Sequence, residues 1–383
     1  MLLAVVVTGC EASSSRTPSP SPSSPSRSPA ASISAPVPSP PRSVSPSPSE
    51  RVRLQGIELV ADLSEEPAAW ERVVFLPFGP TGDELGSELR KRYASVPVVP
   101  PSLAVDRDGS LWLLDFAKRR VVHYSAGGRL LDRFGGLDAN RFEPYGQDLA
   151  FVGDDLYLLE EIHNVRGSLL RSVTRDGIGP RIPLTVDAEP IVMQNFVAPL
   201  PVLAGFGHAA LDEHLEPPPG GGPMGDMEVD PATGESTIVD GYGLADGHRM
   251  GLELLPVGDG RRVRVTHSSG SVGTVLPLRV HVRPTATGPD LPASVGWFLV
   301  GATEHSIVVW VQLSPTRTRD SRRFGGGHWL FQAFDDGEPL VWEPIRTPPL
   351  SSTQWRHLTV GFDGSIYLML ATRNGMLILR RTD

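Results

Sequence analysis

The sequence has little cysteine and lysine and no long apolar run. Its one cysteine, Cys10, excludes a disulfide framework, a cysteine-rich zinc site and an iron–sulfur cluster. No apolar stretch approaches the roughly 20 residues that a membrane-spanning helix requires. The formal net charge is −9, and no basic cluster is larger than residues 90–92, so we expect no nucleic-acid partner.

Serine and proline are concentrated near the N-terminus. Residues 11–50 contain 16 Ser and 11 Pro, a composition that cannot bury a core and predicts a disordered tether. In the extended polyproline conformation such a tether would reach on the order of 100 Å. We therefore expect a signal segment over residues 1–10, a linker over 11–50 and one folded domain over 51–383.

The N-terminal segment carries a short motif. Six apolar residues, Leu2 to Val7, lead through Thr8 and Gly9 to Cys10. The segment Val7-Thr8-Gly9-Cys10 resembles the lipobox of bacterial lipoproteins. That resemblance implies a diacylglyceryl group on Cys10, which would anchor the protein in the lipid bilayer on the extracytoplasmic face of the cell membrane. A basic start is missing and is expected upstream; the alternative, an ordinary thiol in a cytoplasmic protein, stays open.

The folded part contains an internal repeat of short strands. Leu103–Leu114 aligns without gaps with Leu358–Met369, at an offset of 255 residues and with six of twelve positions identical. A third copy, Leu149–Glu160, starts about 45 residues after the first. Each copy predicts a strand, a tight turn with Asp-Gly in two copies, and a second strand. Four antiparallel strands in about 45 residues are typical of a β-propeller blade.

A family resemblance supports this interpretation. Pro101–Asp115, followed by Arg120-Val121-Val122 and Gly128-Arg129-Leu130, looks like an NHL-type propeller repeat, and Phe78–Asp83 resembles the glycine-rich linker between such blades. The resemblance implies an all-β, NHL- or TolB-like propeller and says little about function.

The spacing of the copies favours six blades, starting near residues 102, 147, 195, 249, 294 and 355. Seven blades remain an alternative, as do a pair of β-sandwiches and an irregular β-solenoid. We expect Arg72–Phe78, which precedes the first copy, to close the ring as the outer strand of the last blade.

Candidate binding residues lie on the predicted loops between the second and third strands of the blades, since propellers usually function at one end of the ring. The first blade offers Phe116 and Arg119. The second offers the most polar loop of this kind, with Glu160, Glu161, His163, Asn164 and Arg166. A merely solvated loop is the alternative interpretation.

No motif identifies a catalytic or metal site. His208 and His214 flank Asp212 and Glu213, and Asp106–Gly109 has a faint likeness to a calcium loop, but a surface loop and a hairpin turn explain them better. Five tryptophans in the last third, 297, 310, 329, 342 and 355, suit packing between blades better than sugar stacking. We expect no cofactor and no bound metal.

The sequence thus predicts a monomeric, non-enzymatic propeller that binds an extracytoplasmic protein or glycan. The alternatives are a propeller hydrolase or lyase that resembles gluconolactonases and holds a metal at the channel mouth, and a purely structural envelope component.

Overall fold

The structure is a computed structural model. The residues that it describes are 57–62, 65, 67, 70–87, 98–135, 145–162, 167–209, 224–244, 247–254, 261–266, 272–283, 287, 291–315, 327–334, 341–346 and 357–381. Within them, no helix combines the length and hydrophobicity needed to cross a membrane.

Almost all regular structure in the described residues is β-strand. A single turn of 3-10 helix covers Phe116–Lys118. The strands are β1 (Ile57–Asp62), β2 (Trp70–Pro77), β3 (Leu103–Val105), β4 (Leu111–Asp115), β5 (Arg120–Tyr124), β6 (Leu130–Gly135), β7 (Tyr145–Val152), β8 (Asp155–Ile162), β9 (Gly167–Thr174), β10 (Gly177–Ile178), β11 (Ile182–Pro183), β12 (Thr185–Val186), β13 (Glu189–Val197), β14 (Leu203–Ala209), β15 (Met224–Val229), β16 (Ser236–Ile238), β17 (Tyr242–Gly243), β18 (Arg249–Leu254), β19 (Arg261–Thr266), β20 (Val272–Arg283), β21 (Leu291–Ala302), β22 (Ser306–Pro315), β23 (Gly327–Phe334), β24 (Val341–Ile345), β25 (Leu358–Val360), β26 (Ile366–Ala371) and β27 (Gly375–Arg381).

These strands form six small sheets in a ring, which confirms the predicted six-bladed β-propeller over the described residues. Blade 1 is β3–β6, blade 2 is β7–β11, and blade 3 is β12–β16. Blade 4 is β17–β20 with β1, blade 5 is β21–β24, and blade 6 is β25–β27 with β2. Blades 4 and 5 are joined by a short pairing of β20 with β21, at His281 with Pro292 and Val282 with Leu291.

The ring closes as the sequence predicts. Strand β2 pairs antiparallel with β27, from Trp70 opposite Arg381 to Pro77 opposite Gly375. The last blade therefore takes its outer strand from the chain segment that precedes the first blade. Strand β1 also joins a distant blade, since it lies parallel to β20, and the Trp342 Nε1 donates a hydrogen bond of 3.0 Å to the Val60 carbonyl.

Apolar side chains fill the seams between neighbouring blades. Trp112 stacks on Phe134 within blade 1 and meets Phe151 of blade 2 edge-on, at 6.2 Å between ring centroids. Trp310 and Trp329 are buried in two other clusters of the core, as the packing interpretation of the tryptophans expects. Each fully buried large side chain contributes about 1.5–3 kcal/mol, so the seams hold the ring together.

The antiparallel strands give the ring two distinct faces. The hairpin face carries the turns between first and second strands, such as Asp106–Gly109 and Gly361–Gly364. Gly109 and Gly364 adopt φ of 78° and 79°, a conformation that glycine takes without a steric penalty. The loop face carries the connections between second and third strands, of which residues 116–119 are an example. The calcium-loop likeness at Asp106–Gly109 thus resolves as a hairpin turn.

Candidate functional site

On the loop face, the connection at residues 116–119 is a tight turn. After β4, the 3-10 turn ends at Arg119, whose φ of 55° is left-handed and whose N–H donates to the Phe116 carbonyl at 3.1 Å. Phe116 is half-buried and Arg119 is exposed. The turn returns the chain directly to β5, so that Arg120 lies beside Asp115.

Asp115 and Arg120 form a buried ion pair. The Arg120 Nε donates to the Asp115 carboxylate at 2.8 Å, and its two Nη groups donate to the carbonyls of Gly82 and Glu84 at 2.6 and 2.7 Å. Asp115 also accepts a hydrogen bond from the Gly86 N–H at 2.9 Å. Because every one of these partners belongs to the protein, the pair fixes the connection at residues 82–86 rather than presenting a charge to a ligand.

In blade 2, the first acid of the expected polar loop forms a second buried ionic contact. Strand β8 runs to Ile162, so Glu160 and Glu161 lie in a strand, which corrects the predicted loop boundary. The Glu160 side chain is fully buried and accepts from Arg171 at 3.4 Å and Arg181 at 3.1 Å. His163, Asn164 and Arg166 lie outside the described residues, so a role for them stays a prediction.

A groove borders the predicted loop of blade 1. It encloses about 590 Å³ beside the tight turn and the chain that follows β2, and Lys118 and Arg373 bring positive charge to it. Lys118 donates to the Glu84 carbonyl at 2.8 Å, and burial, followed by the nearby Arg120, lowers its pKa. The groove is lined by Phe78, Gly79, Pro80, Gly86, Ser87, Ala117, Lys118, Arg373 and Asn374. Phe116 and Arg119 are not among these residues.

The hairpin face has a larger cavity, which sequence reasoning missed. It encloses about 650 Å³, a volume within the range of small-molecule sites, and five of the six blades contribute to it. The lining residues are Arg107, Gly153, Pro199, Leu200, Pro201, Ala302, Thr303, Glu304, His305, Phe334, Gly361, Phe362, Asp363 and Gly364. Apolar side chains and a few charged ones therefore converge where the hairpins of the ring meet.

Arg107 is the best-positioned charged group of this cavity. Its guanidinium carbon lies 4.3 Å from the centre of the Phe362 ring, and its Nε lies 3.0 Å from the Asp154 carboxylate. Phe362 is held in turn by Phe151, at 5.7 Å between ring centroids. The Phe362 ring and the Asp154 carboxylate together restrict the orientation of the guanidinium.

The internal repeat could have predicted the contact between Arg107 and Phe362. Arg107 and Phe362 occupy the same repeat position, since 362 − 107 = 255, the offset of the two copies. Blades 1 and 6 are neighbours once the ring closes, so equivalent turn residues lie side by side. Asp154, in the turn of blade 2, approaches Arg107 from the other neighbouring blade.

The described residues contain no group of three or more His, Cys, Asp or Glu side chains that could hold a metal ion. Asp212, Glu213 and His214 lie outside the described residues, and so does Cys10.

Comparison with known proteins gives structural neighbours only. No protein family and no curated protein matches the sequence. A gluconolactonase from Xanthomonas campestris is 14% identical, with a TM-score of 0.34 over 83% of this chain and 98% of the other. A PQQ-bound aldose sugar dehydrogenase from Streptomyces coelicolor is 14% identical, with a TM-score of 0.35 over 77% and 97%. A catalytically inactive virginiamycin B lyase from Staphylococcus aureus, in complex with quinupristin, is 14% identical, with a TM-score of 0.33 over 77% and 83%. Scores this low carry no argument about the activity of this chain.

Proposed function

We propose that this protein is an extracytoplasmic, lipid-anchored β-propeller that binds a protein or glycan ligand through its hairpin face. The observation that carries the proposal is the cavity of about 650 Å³ where the hairpins of five blades converge. A concave site with apolar walls and a few convergent polar groups is what ligand recognition requires. By contrast, the described charges of the loop face near Asp115 and Glu160 are paired within the scaffold.

The anchor part of the proposal rests on Cys10 and on the Ser- and Pro-rich segment that follows it. An acylated cysteine with a polar tether would hold the propeller near the membrane while leaving its faces accessible. The full-length product should incorporate a palmitate analogue and partition into detergent. If Cys10→Ala leaves labelling and partitioning unchanged, the protein is not a lipoprotein.

The binding part is tested by blocking the cavity. Glu304 lies in an exposed turn of the lining, with 71% of its side chain accessible, so Glu304→Trp should fill space without disturbing the core. Ile238→Trp, at an exposed position in the outer strand of blade 3, is the matched control. In affinity capture from an envelope extract, we expect a partner that the parent chain and the control enrich and that Glu304→Trp loses. Equal capture by all three chains would show that the hairpin cavity is not the binding site.

The hydrolase or lyase alternative needs a metal at the channel mouth, and the described residues bring no three-ligand group together there. Elemental analysis of the purified full chain for calcium, zinc and iron tests it directly.

A further inference from the structure

We propose that Arg107 recognises a single carboxylate on a ligand bound in the hairpin-face cavity. This inference rests on the proposed function and names the chemistry of its ligand. Three observations support it: the orientation of the Arg107 guanidinium, the hydrogen bonds of the neighbouring carboxylates, and the apolar lining of the cavity.

The Arg107 guanidinium is oriented by two contacts, and towards the described residues only its Nε donates a hydrogen bond. Its guanidinium carbon lies over the Phe362 ring, and its Nε donates to Asp154 at 3.0 Å. Within the described part of the chain, neither Nη group donates a hydrogen bond. The two Nη groups form the planar fork that binds a carboxylate with two parallel hydrogen bonds. Because the side chain is already oriented, a ligand loses little side-chain entropy when it uses this fork.

The nearby acids are turned towards their own hairpins. Asp106 accepts from the Arg107 N–H at 2.6 Å, and Asp108 accepts from the Ser110 N–H at 2.8 Å. Asp363 accepts from the N–H and the hydroxyl of Ser365 at 3.0 and 2.8 Å. These carboxylates therefore stabilise turns instead of competing for the Arg107 fork.

Acidic side chains around the cavity limit the charge of the ligand. Asp154 already offsets the charge of Arg107, and Glu304 and Asp363 add negative charge to the lining. A polyanion would be repelled, whereas one carboxylate can still gain two charge-assisted hydrogen bonds. The walls at Leu200, Pro201 and Phe334 suit an apolar body beside that carboxylate. A ligand with one acid group and an apolar portion fits the site best.

A peptide C-terminus with an apolar last residue combines both features, and matched probes separate it from a uronic acid, which has the carboxylate without the apolar portion. N-acetylphenylalanine and its amide differ only at the carboxyl group, as do glucuronate and glucose at C6. Binding of each probe to the full chain is measured by calorimetry. We expect one acid to bind at least about tenfold more tightly than its neutral partner.

Two variants and a control make the test specific. Arg107→Gln should abolish the preference for the acid, and Phe362→Leu should weaken it by removing the aromatic support. Arg133→Gln is the control, because Arg133 forms a comparably exposed ion pair with Asp83 at 3.1 Å but does not line the cavity. Circular dichroism and thermal unfolding establish that each variant is folded.

The proposal is overturned if neither acid binds, if acids and neutral partners bind equally, or if Arg107→Gln keeps the preference. It is also overturned if Arg133→Gln loses the preference to the same extent. Cavity-dependent capture that survives Arg107→Gln would leave the proposed binding function standing and remove only the carboxylate specificity.

Discussion

The ion pairs described on the two faces of the ring differ in burial. On the loop face, Asp115 and Glu160 are completely buried, and their arginine partners lie against protein carbonyls or other strands. On the hairpin face, Arg107 and Asp154 keep 57% and 90% of their side chains accessible. A polar cluster at one end of a propeller therefore does not mark a binding site unless its groups remain accessible and partly unpaired.

The two buried acids also differ from each other, although they occupy the same position of the repeat. Asp115 and Arg120 hold the connection that leads from β2 into blade 1, so they support ring closure. Glu160 and its two arginines stay within blade 2, where Arg171 also donates to the Gly179 carbonyl at 2.7 Å. Asp115 and Glu160 therefore have different structural roles at the same position of the repeat.

The largest expected effect comes from removing a buried acid. Asp115→Ala leaves Arg120 as an uncompensated buried charge, so we expect the free energy of unfolding to fall by about 3–5 kcal/mol. Urea denaturation of the full chain measures it. Asp83→Asn, which removes an exposed pair with Arg133, is the control and should cost less than about 1 kcal/mol. Equal losses in the two variants would contradict the scaffold role of Asp115.

The sequence was largely sufficient for the architecture because the repeat is a local pattern. Alternating apolar residues and the turns at Gly109 and Gly364 specify the hairpins, and the spacing of the copies favoured six blades while leaving seven as an alternative. Even the closing strand β2 was predictable, since blade 6 lacked a fourth strand of its own.

The site was not predictable to the same degree, because it depends on contacts between blades. Glu160 looks like part of a solvated loop until Arg171 and Arg181 are brought against it. Arg107 meets Phe362 only when the first and last blades become neighbours. Sequence position therefore located the candidate residues, whereas burial showed that Asp115 and Glu160 are paired within the scaffold.

A buried histidine on the loop face predicts a pH effect of intermediate size. His357 precedes β25, and its ring lies 4.8 Å from Trp310 and 5.7 Å from His328. Burial, followed by the nearby His328, lowers the pKa of His357 to about 4. The native state then excludes a proton that the unfolded chain binds below about pH 6.5.

Stability contributed by neutral His357 is therefore complete above about pH 6.5 and is lost as the pH falls towards about 4. The loss should reach up to about 3 kcal/mol in the free energy of unfolding. Urea denaturation across this range measures it, and His357→Phe should flatten the slope. An unchanged slope in the variant would assign the acid sensitivity to other groups.

The smallest expected effect lies at the exposed pair of the hairpin face. Arg107 and Asp154 are both accessible, so solvent screens their attraction and holding two mobile side chains together offsets much of it. We expect Arg107→Gln and Asp154→Asn each to change the free energy of unfolding by less than about 1 kcal/mol, and a double-mutant cycle to give a coupling of similar size. A coupling above about 2 kcal/mol would show that this pair stabilises the fold as the buried pairs do, and it would contradict the difference between the two faces. A small coupling, combined with lost acid binding in Arg107→Gln, would show that this charge contributes to ligand recognition rather than to folding.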